Sequence, residues 1–315
     1  MRASLSPGNA GARCVGLDSR ERLSVRLSSW LFQSHVAFLQ PSCRAYMPSL
    51  FAIQAFAAVD EGQIVDSLHR VRPRLVSGFE SSLMARMLAE EGSAAEMDIL
   101  NCPDWLSYVE ELLVKYDCSR EELQGEFERW RRNRLDTDFQ GWIALNPLYK
   151  GVRDAIHDCQ CPTYFASSKA GERLVPLLRS LLDIEVDIDS PRIFHSLIPP
   201  NELKLEALKS VLARPVAADS RTILHFIDDR FETIEYILKN ADQDLLKRYQ
   251  FYLASWGYCT TEEIDRAKGM PGVRVISLED FCELLRFGIV MNVHDGCQDT
   301  EEEARNAVYK PNGPL

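Results

Sequence analysis

Between residues 55 and 146 the apolar residues recur at the three- and four-residue spacing of amphipathic α-helices. In the stretch DWLSYVEELLVKY they fall on one helical face, and Asp104 precedes them as an N-cap residue. Ser119 and Glu122 have the spacing of a capping box at the start of the next helix. Because strand patterns are almost absent here, this part of the chain is predicted to be helical.

After Pro147 short apolar runs alternate with helical stretches of about a dozen residues. The runs are CPTYFASS, IEVDID, TILHFIDD, YQFYLASWG and VRVIS. Strands that alternate with helices in this way form a parallel sheet, because a connection between parallel strands usually contains a helix. Residues 147–290 are therefore predicted to form an α/β core, and the polar residues 291–315 a flexible tail.

The composition excludes some classes of function. The net charge of −11 provides no large basic surface, which argues against nucleic acid as a partner. No apolar run reaches the roughly 18 residues that a membrane span needs. The nine cysteines form no CxxC pair, so we expect reduced thiols in an intracellular protein rather than a disulfide scaffold or a structural zinc site.

Residues 1–50 differ in composition from the rest of the chain. They contain six Arg and many Ser but only two acidic residues. This composition is typical of a transit peptide, which would direct the protein to a plastid or another organelle. The alternative is a mistranslated first exon, and without a transit peptide the protein is expected in the cytoplasm.

Polar residues follow two of the predicted strands at their carboxyl ends, where parallel sheets bind ligands. Ser167 and Ser168 follow one strand, and Asp228 and Asp229 follow another. A serine hydroxyl and the backbone N–H groups at a helix start can bind an oxyanion, and Lys204 can add a positive charge. Two adjacent carboxylates are a natural pair of Mg²⁺ ligands beside a phosphate.

Each of these residues also has a simpler structural interpretation. An Asp pair or a Ser pair after a strand commonly caps the next helix. Lys204 and Lys209 lie in a helical stretch, where lysine usually faces solvent. Only the order of these residues along the chain favours a shared site over separate structural roles.

That order carries a resemblance to a known superfamily. Strand–Ser, then Lys, then strand–Asp-Asp resembles motifs two, three and four of the haloacid dehalogenase (HAD) superfamily. The stretches VDEGQIVDSLHRVRPRLVSGFESSL, TYFASSK, ILHFIDDRFETI and FYLASWGYCTTEE are similar to a HAD-like hydrolase group of plants, algae and cyanobacteria. The resemblance covers residues 55 to 287.

The resemblance implies a Rossmann-like parallel sheet with an inserted helical cap of the C1 type at residues 55–146. It implies that Ser167, Ser168 and Lys204 bind the phosphoryl group and that Asp228 and Asp229 hold Mg²⁺. The implied activity is the Mg²⁺-dependent hydrolysis of a phosphate ester, with a small phosphorylated metabolite as the substrate. The cap would close over the site and help to select that metabolite.

The first motif of the superfamily is where this sequence departs from the pattern. The family's nucleophile is the first Asp of a D-x-D motif after the first strand. In CVGLDSRER the stretch CVGL is expected to be a remnant of that strand within residues 1–50, and Asp18 is the matching candidate. Arg20 stands where the second Asp should act as acid and base, and arginine stays protonated near neutral pH. Two functions therefore remain open: a Mg²⁺-dependent phosphatase with Asp18, Ser167 and Lys204 as catalytic residues, or a non-catalytic HAD-fold protein that binds a phosphometabolite or a protein partner.

Overall fold

The computed structural model describes residues 22–27 and 61–288. Its strands are β1 (Arg22–Leu27), β2 (Thr163–Ala166), β3 (Ile193–Phe194), β4 (Ile223–Asp228), β5 (Tyr249–Ala254) and β6 (Val273–Ile276). They form one parallel sheet with the order β3-β2-β1-β4-β5-β6. The predicted α/β class is confirmed, and the strand at the centre of the sheet comes from the first 50 residues.

The helices divide into two groups along the chain. Those before β2 are α1 (Glu61–Val71), α2 (Glu80–Glu91), α3 (Ser93–Asn101), α4 (Trp105–Lys115), α5 (Arg120–Thr137) and α6 (Phe139–Ala144). Those that follow are α7 (Val152–Asp158), α8 (Gly171–Leu182), α9 (Pro200–Leu212), α10 (Phe231–Asn240), α11 (Gln243–Arg248), α12 (Thr261–Lys268) and α13 (Leu278–Phe287). Short 3₁₀ turns lie at Arg72–Arg74 and Pro215–Ala217. Within the described residues, no helix has the length and apolar character needed to span a bilayer.

Helices α1 to α5 bury an apolar cluster of their own, to which Leu83, Val109 and Leu123 contribute. Both predicted caps are confirmed in this region: Asp104 accepts a hydrogen bond from a backbone N–H of α4, and the capping box at the start of α5 is complete. Tyr258 is also part of this cluster although it follows β5 in the chain. The helical region therefore packs directly against a loop of the sheet.

The sheet is covered by helices on both faces. One face packs on α7, α8 and α13 through residues such as Phe165 and Ile227, and the other packs on α9 to α12 through Phe226 and Phe251. Burial on both faces explains why β2, β4 and β5 appear in the sequence as nearly continuous apolar runs.

The strand prediction for IEVDID is wrong. The third strand is β3, while residues 184–189 form no strand. The alternation in that stretch has another cause. Val186 packs into the core, and the guanidinium of Arg179 in α8 donates hydrogen bonds to the carbonyl of Val186 and to the carboxylate of Asp187. The side chains alternate because the segment runs along the end of α8, without pairing to another strand.

Candidate functional site

The sheet register brings the two polar strand ends to one edge. β1 lies between β2 and β4, with Leu27 opposite Ala166 and Arg26 opposite Ile227. Ser167 follows β2 directly, and Asp228 is the last residue of β4. The predicted phosphate-binding and acidic residues therefore lie at the same carboxyl edge, on either side of the central strand.

Ser167 is fully buried and anchored by its backbone. Its N–H donates to the carbonyl of Phe194 at 2.8 Å, and its carbonyl accepts from Leu197 at 3.1 Å. The hydroxyl oxygen accepts a hydrogen bond from the N–H of Lys169 at 3.2 Å. Because a hydroxyl can accept and donate at once, Ser167 can still donate its proton to a bound oxyanion. Ser168 is the more exposed of the two serines.

Lys204 is buried, which excludes the solvent-facing alternative for this residue. Only 2% of its surface is exposed, and its Nζ donates to Oδ2 of Asp228 at 2.6 Å. Lys209 by contrast is exposed and pairs with Glu206 on its own helix. Lys204 is therefore the lysine that helix α9 contributes to the site, where it neutralises one of the two adjacent acids.

The two acids have different environments. Asp228 is fully buried, and its second oxygen, Oδ1, accepts the N–H of Arg230 at 2.9 Å. Asp229 is also fully buried; its Oδ2 accepts the N–H of Tyr258 at 3.1 Å, while Oδ1 has no hydrogen-bond partner within the described residues. Helix α10 has Arg230 as its N-cap residue and no side-chain cap, so the helix-capping interpretation of the acids is wrong.

Gly257 lets the β5–α12 loop approach Asp229 closely. A Cβ atom at this position would lie 2.5 Å from Oδ2 of Asp229 and closer still to its Cβ. Only glycine allows this contact, because any side chain would have to displace the carboxylate or the loop. The W-G-Y sequence at residues 256–258 predicts a turn, but it does not predict the contact between Gly257 and Asp229.

Burial raises the pKa of Asp229 to about 6, and the negative charge of Asp228 adds to this shift. Lys204 and the guanidinium groups of Arg230 and Arg72 oppose it. Asp229 therefore takes up a proton as the pH falls through about 6.

This shift predicts how Asp229 changes stability with pH. Since its pKa is raised in the folded protein, the folded state binds the proton more tightly, and stability is lost as the pH rises from about 4 through 6. In buffer with EDTA, we expect the wild-type free energy of unfolding, relative to that of Asp229→Asn, to fall by on the order of 2–3 kcal/mol between pH 4 and 7.5. Urea denaturation at the two pH values measures this difference. An unchanged difference would mean that Asp229 titrates normally.

Cationic side chains surround the mouth of the site on the helical side. Arg230 donates to the carbonyl of Leu75, and Arg72 stands 3.8 Å from the ring centre of Tyr258. Both arginines therefore lie between the helical region and the sheet. Arg131 and Arg173 belong to the same side and were not singled out in the sequence.

Within the described part of the chain, no group of three or more His, Cys, Asp or Glu side chains could hold a metal ion. The open Oδ1 of buried Asp229 is nevertheless a suitable oxygen ligand for a hard cation. Both oxygens of Asp228 are already engaged by Lys204 and Arg230. Oδ1 of Asp229 is therefore the oxygen of the acidic pair that remains open to a cation.

Asp18, the candidate nucleophile, lies outside the described residues. In the sequence it precedes β1, whereas the family's nucleophile follows the first strand. Leu27 is followed by Ser28 and Ser29, and residues 28–59 contain neither Asp nor Glu. A carboxylate is thus missing from the stretch that directly follows the central strand.

No protein-family model, curated protein or solved structure matches this chain. The functional interpretation of the site rests on its own geometry and on the resemblance of its motifs.

Proposed function

We propose that this chain is a HAD-like protein that binds a phosphorylated small molecule at the carboxyl edge of its sheet without cleaving it. Ser167, Lys204, Asp228 and Asp229 stand in the order of the superfamily's second to fourth motifs, and all four are buried near one sheet edge. The run of helices α1 to α6 between β1 and β2 supports the part of this proposal that assigns a cap to residues 55–146.

The observation that carries the non-catalytic form of the proposal is the lack of a carboxylate after β1. Phosphoryl transfer in the superfamily needs an Asp oxygen that attacks phosphorus and forms an aspartyl phosphate. In this chain residues 28–59 offer no such group, and Asp18 precedes the strand. Ser167 and Lys204 can bind an oxyanion, whereas the sequence directly after β1 supplies no carboxylate to attack it.

A Mg²⁺ ion is the cofactor that we propose for this site. Oδ1 of Asp229 is the oxygen that would contact it first, and Asp228 would share it only by loosening its bond to Lys204. The ion would supply the positive charge that lets two adjacent carboxylates accept an anionic ligand.

A Mg²⁺-dependent phosphatase is the second candidate function. It is favoured by the direct contact between Lys204 and Asp228 and by the open oxygen of Asp229, which together resemble a complete third and fourth motif. This candidate requires phosphate release from a simple ester such as p-nitrophenyl phosphate, whereas the binding function requires none above the buffer blank.

Binding is tested by measuring how much inorganic phosphate stabilises the protein against thermal unfolding, once with Mg²⁺ and once with EDTA. At a concentration about 100-fold above its Kd, phosphate should stabilise the wild type by about 2.7 kcal/mol. We expect Ser167→Ala to lose most of this stabilisation, because the buried hydroxyl would donate to the oxyanion. Ser210→Ala, an exposed serine on α9, should behave as the wild type. Equal stabilisation of Ser167→Ala and wild type would contradict the assignment of Ser167.

A further inference from the structure

A small cavity next to the proposed phosphate site is lined mainly by cations and aromatic rings. Its lining includes the cations Arg131 of α5, Lys169 after β2 and Arg173 of α8, together with Trp130, Trp142, Leu145 and Asn146. Its volume is about 30 Å³. The cavity thus joins the helical region to the loop that follows Ser167.

Positive charge exceeds negative charge around this cavity. Glu128 is the acid that pairs with both Arg131 and Arg173. Burial, together with the charges of Arg131 and Arg173, lowers the pKa of Lys169 to about 7, and the charge of Asp229 opposes this shift. Burial and the charge of Arg173 likewise lower the pKa of Arg131, to about 10. Cations held this close repel one another, and a bound anion would relieve that repulsion.

Arg72 adds a second, independent observation. Its guanidinium lies against the ring of Tyr258, and its buried Nε and Nη2 have no hydrogen-bond partner within the described residues. Buried polar groups are nearly always paired, and a guanidinium offers its N–H groups in a planar fork that fits a carboxylate. Its charge also acts on Lys169, which places it on the cationic side of the site.

We propose that the cluster of Arg72, Arg131, Lys169 and Arg173 binds a carboxylate on the same ligand whose phosphoryl group occupies the Ser167 site. This inference rests on the proposed function and names its ligand class, a phosphorylated small carboxylic acid. At about 30 Å³ the cavity exceeds the roughly 10–15 Å³ that one water molecule needs, so it can accommodate a group as compact as a carboxylate.

Two probes with the same three-carbon skeleton test the proposal by titration calorimetry. 3-Phosphoglycerate carries a carboxylate where glycerol 3-phosphate carries a hydroxymethyl group. We expect the wild type to bind 3-phosphoglycerate roughly tenfold more tightly, because charge-assisted hydrogen bonds to arginine are stronger than neutral ones. Arg131→Gln should remove most of this preference and weaken glycerol 3-phosphate binding much less.

Two control variants separate the loss of the carboxylate contact from a general effect of changing the charge of α5. Arg132→Gln removes the same charge from the exposed side of α5 and should keep the full preference. Arg131→Lys keeps the charge but loses the planar fork, so it should retain an intermediate preference. If Arg131→Gln unfolds, Arg173→Gln provides the same test from α8.

The outcomes distinguish this inference from the proposed function. Equal affinity of the wild type for the two probes, or an equal loss of both in Arg131→Gln, would overturn the carboxylate site and leave phosphate binding intact. If inorganic phosphate and both esters fail to bind, the proposed function fails, and the inference fails with it.

Discussion

Lys204→Met is expected to destabilise the protein by about 3–5 kcal/mol, because it leaves the carboxylate of Asp228 buried without its counter-charge. Lys204 and Asp228 are 2% and 0% exposed, and their charged atoms are 2.6 Å apart. Methionine fills a similar volume, so the loss reports on the charge more than on packing. Urea denaturation at pH 7 measures the change in the free energy of unfolding.

A second substitution removes the negative charge of Asp228 as well, so that the pair is neutral again. Asp228→Asn in the Lys204→Met background should recover a large part of the loss, since no buried charge is then left unpaired. Lys209→Met is the matched control, because Lys209 is exposed on the same helix and its pair with Glu206 contributes at most about 1 kcal/mol. A cost below about 1 kcal/mol for Lys204→Met would show that Asp228 is not held by Lys204.

Gly257→Ala is expected to produce the second large effect, a loss of about 1–3 kcal/mol from overpacking. The new methyl group would overlap Asp229, which is fully buried and bonded to the N–H of Tyr258. The side chain or the loop must move, and either movement breaks that hydrogen bond. Thermal and urea unfolding measure the loss, and the stabilisation by phosphate should fall in the same variant because Asp229 shifts.

Gly125→Ala is the control for this substitution. Gly125 lies inside α5, where an added Cβ meets no atom within 4 Å. Alanine should stabilise the protein there by about 0.5–1 kcal/mol, because it favours the helix over the unfolded chain. If Gly257→Ala is as stable as Gly125→Ala, the close approach of the loop to Asp229 is wrong.

The sequence predicts much of the fold because burial leaves a direct pattern in it. β2, β4 and β5 are buried on both faces, so their apolar runs are continuous and bounded by polar residues. The capping box at Ser119 is visible for a similar reason, since its hydrogen bonds form between residues three apart. Features set by contacts between near neighbours in the chain can be predicted from the sequence alone.

Features set by distant contacts are less visible. A first strand within residues 1–50 was expected at CVGL, residues 14–17, which lie outside the described residues, whereas β1 has the sequence RLSVRL and was not predicted at that position. IEVDID has a strand-like alternation because Ile184 and Val186 pack against the core while Glu185 and Asp187 are exposed, yet residues 184–189 form no strand. The short helix α11 was also missed, because six residues carry too little periodicity.

In the candidate site, too, the residues that could be predicted are set by local sequence, and those that were missed depend on distant contacts. Asp228, Asp229 and Ser167 could be named from the strands that they follow, since parallel strands present their carboxyl ends at one edge. Lys204 could be named only from its order in the chain, and its pairing with Asp228 required the packing of α9 on the sheet. Gly257 and Arg131 were missed as site residues because their roles depend on side chains far away in sequence.

These contacts give the two acids separate roles. Lys204 neutralises Asp228 inside the protein, so that acid mainly holds α9 and β4 together. Asp229 keeps one open oxygen and a raised pKa, so it is the acid that remains available to a ligand or a cation. Because residues 28–59 contain no carboxylate, we propose that the same edge of the sheet binds a phosphate ester without cleaving it.

A ³¹P NMR titration of glycerol 3-phosphate with the protein and Mg²⁺ tests this claim most directly, because one spectrum reports both binding and cleavage. We expect the ester resonance to shift or broaden with the wild type and much less with Ser167→Ala, and no inorganic phosphate resonance to grow over hours. An unchanged ester resonance would contradict binding at the Ser167 site. A growing phosphate resonance would contradict the non-catalytic function and establish the phosphatase.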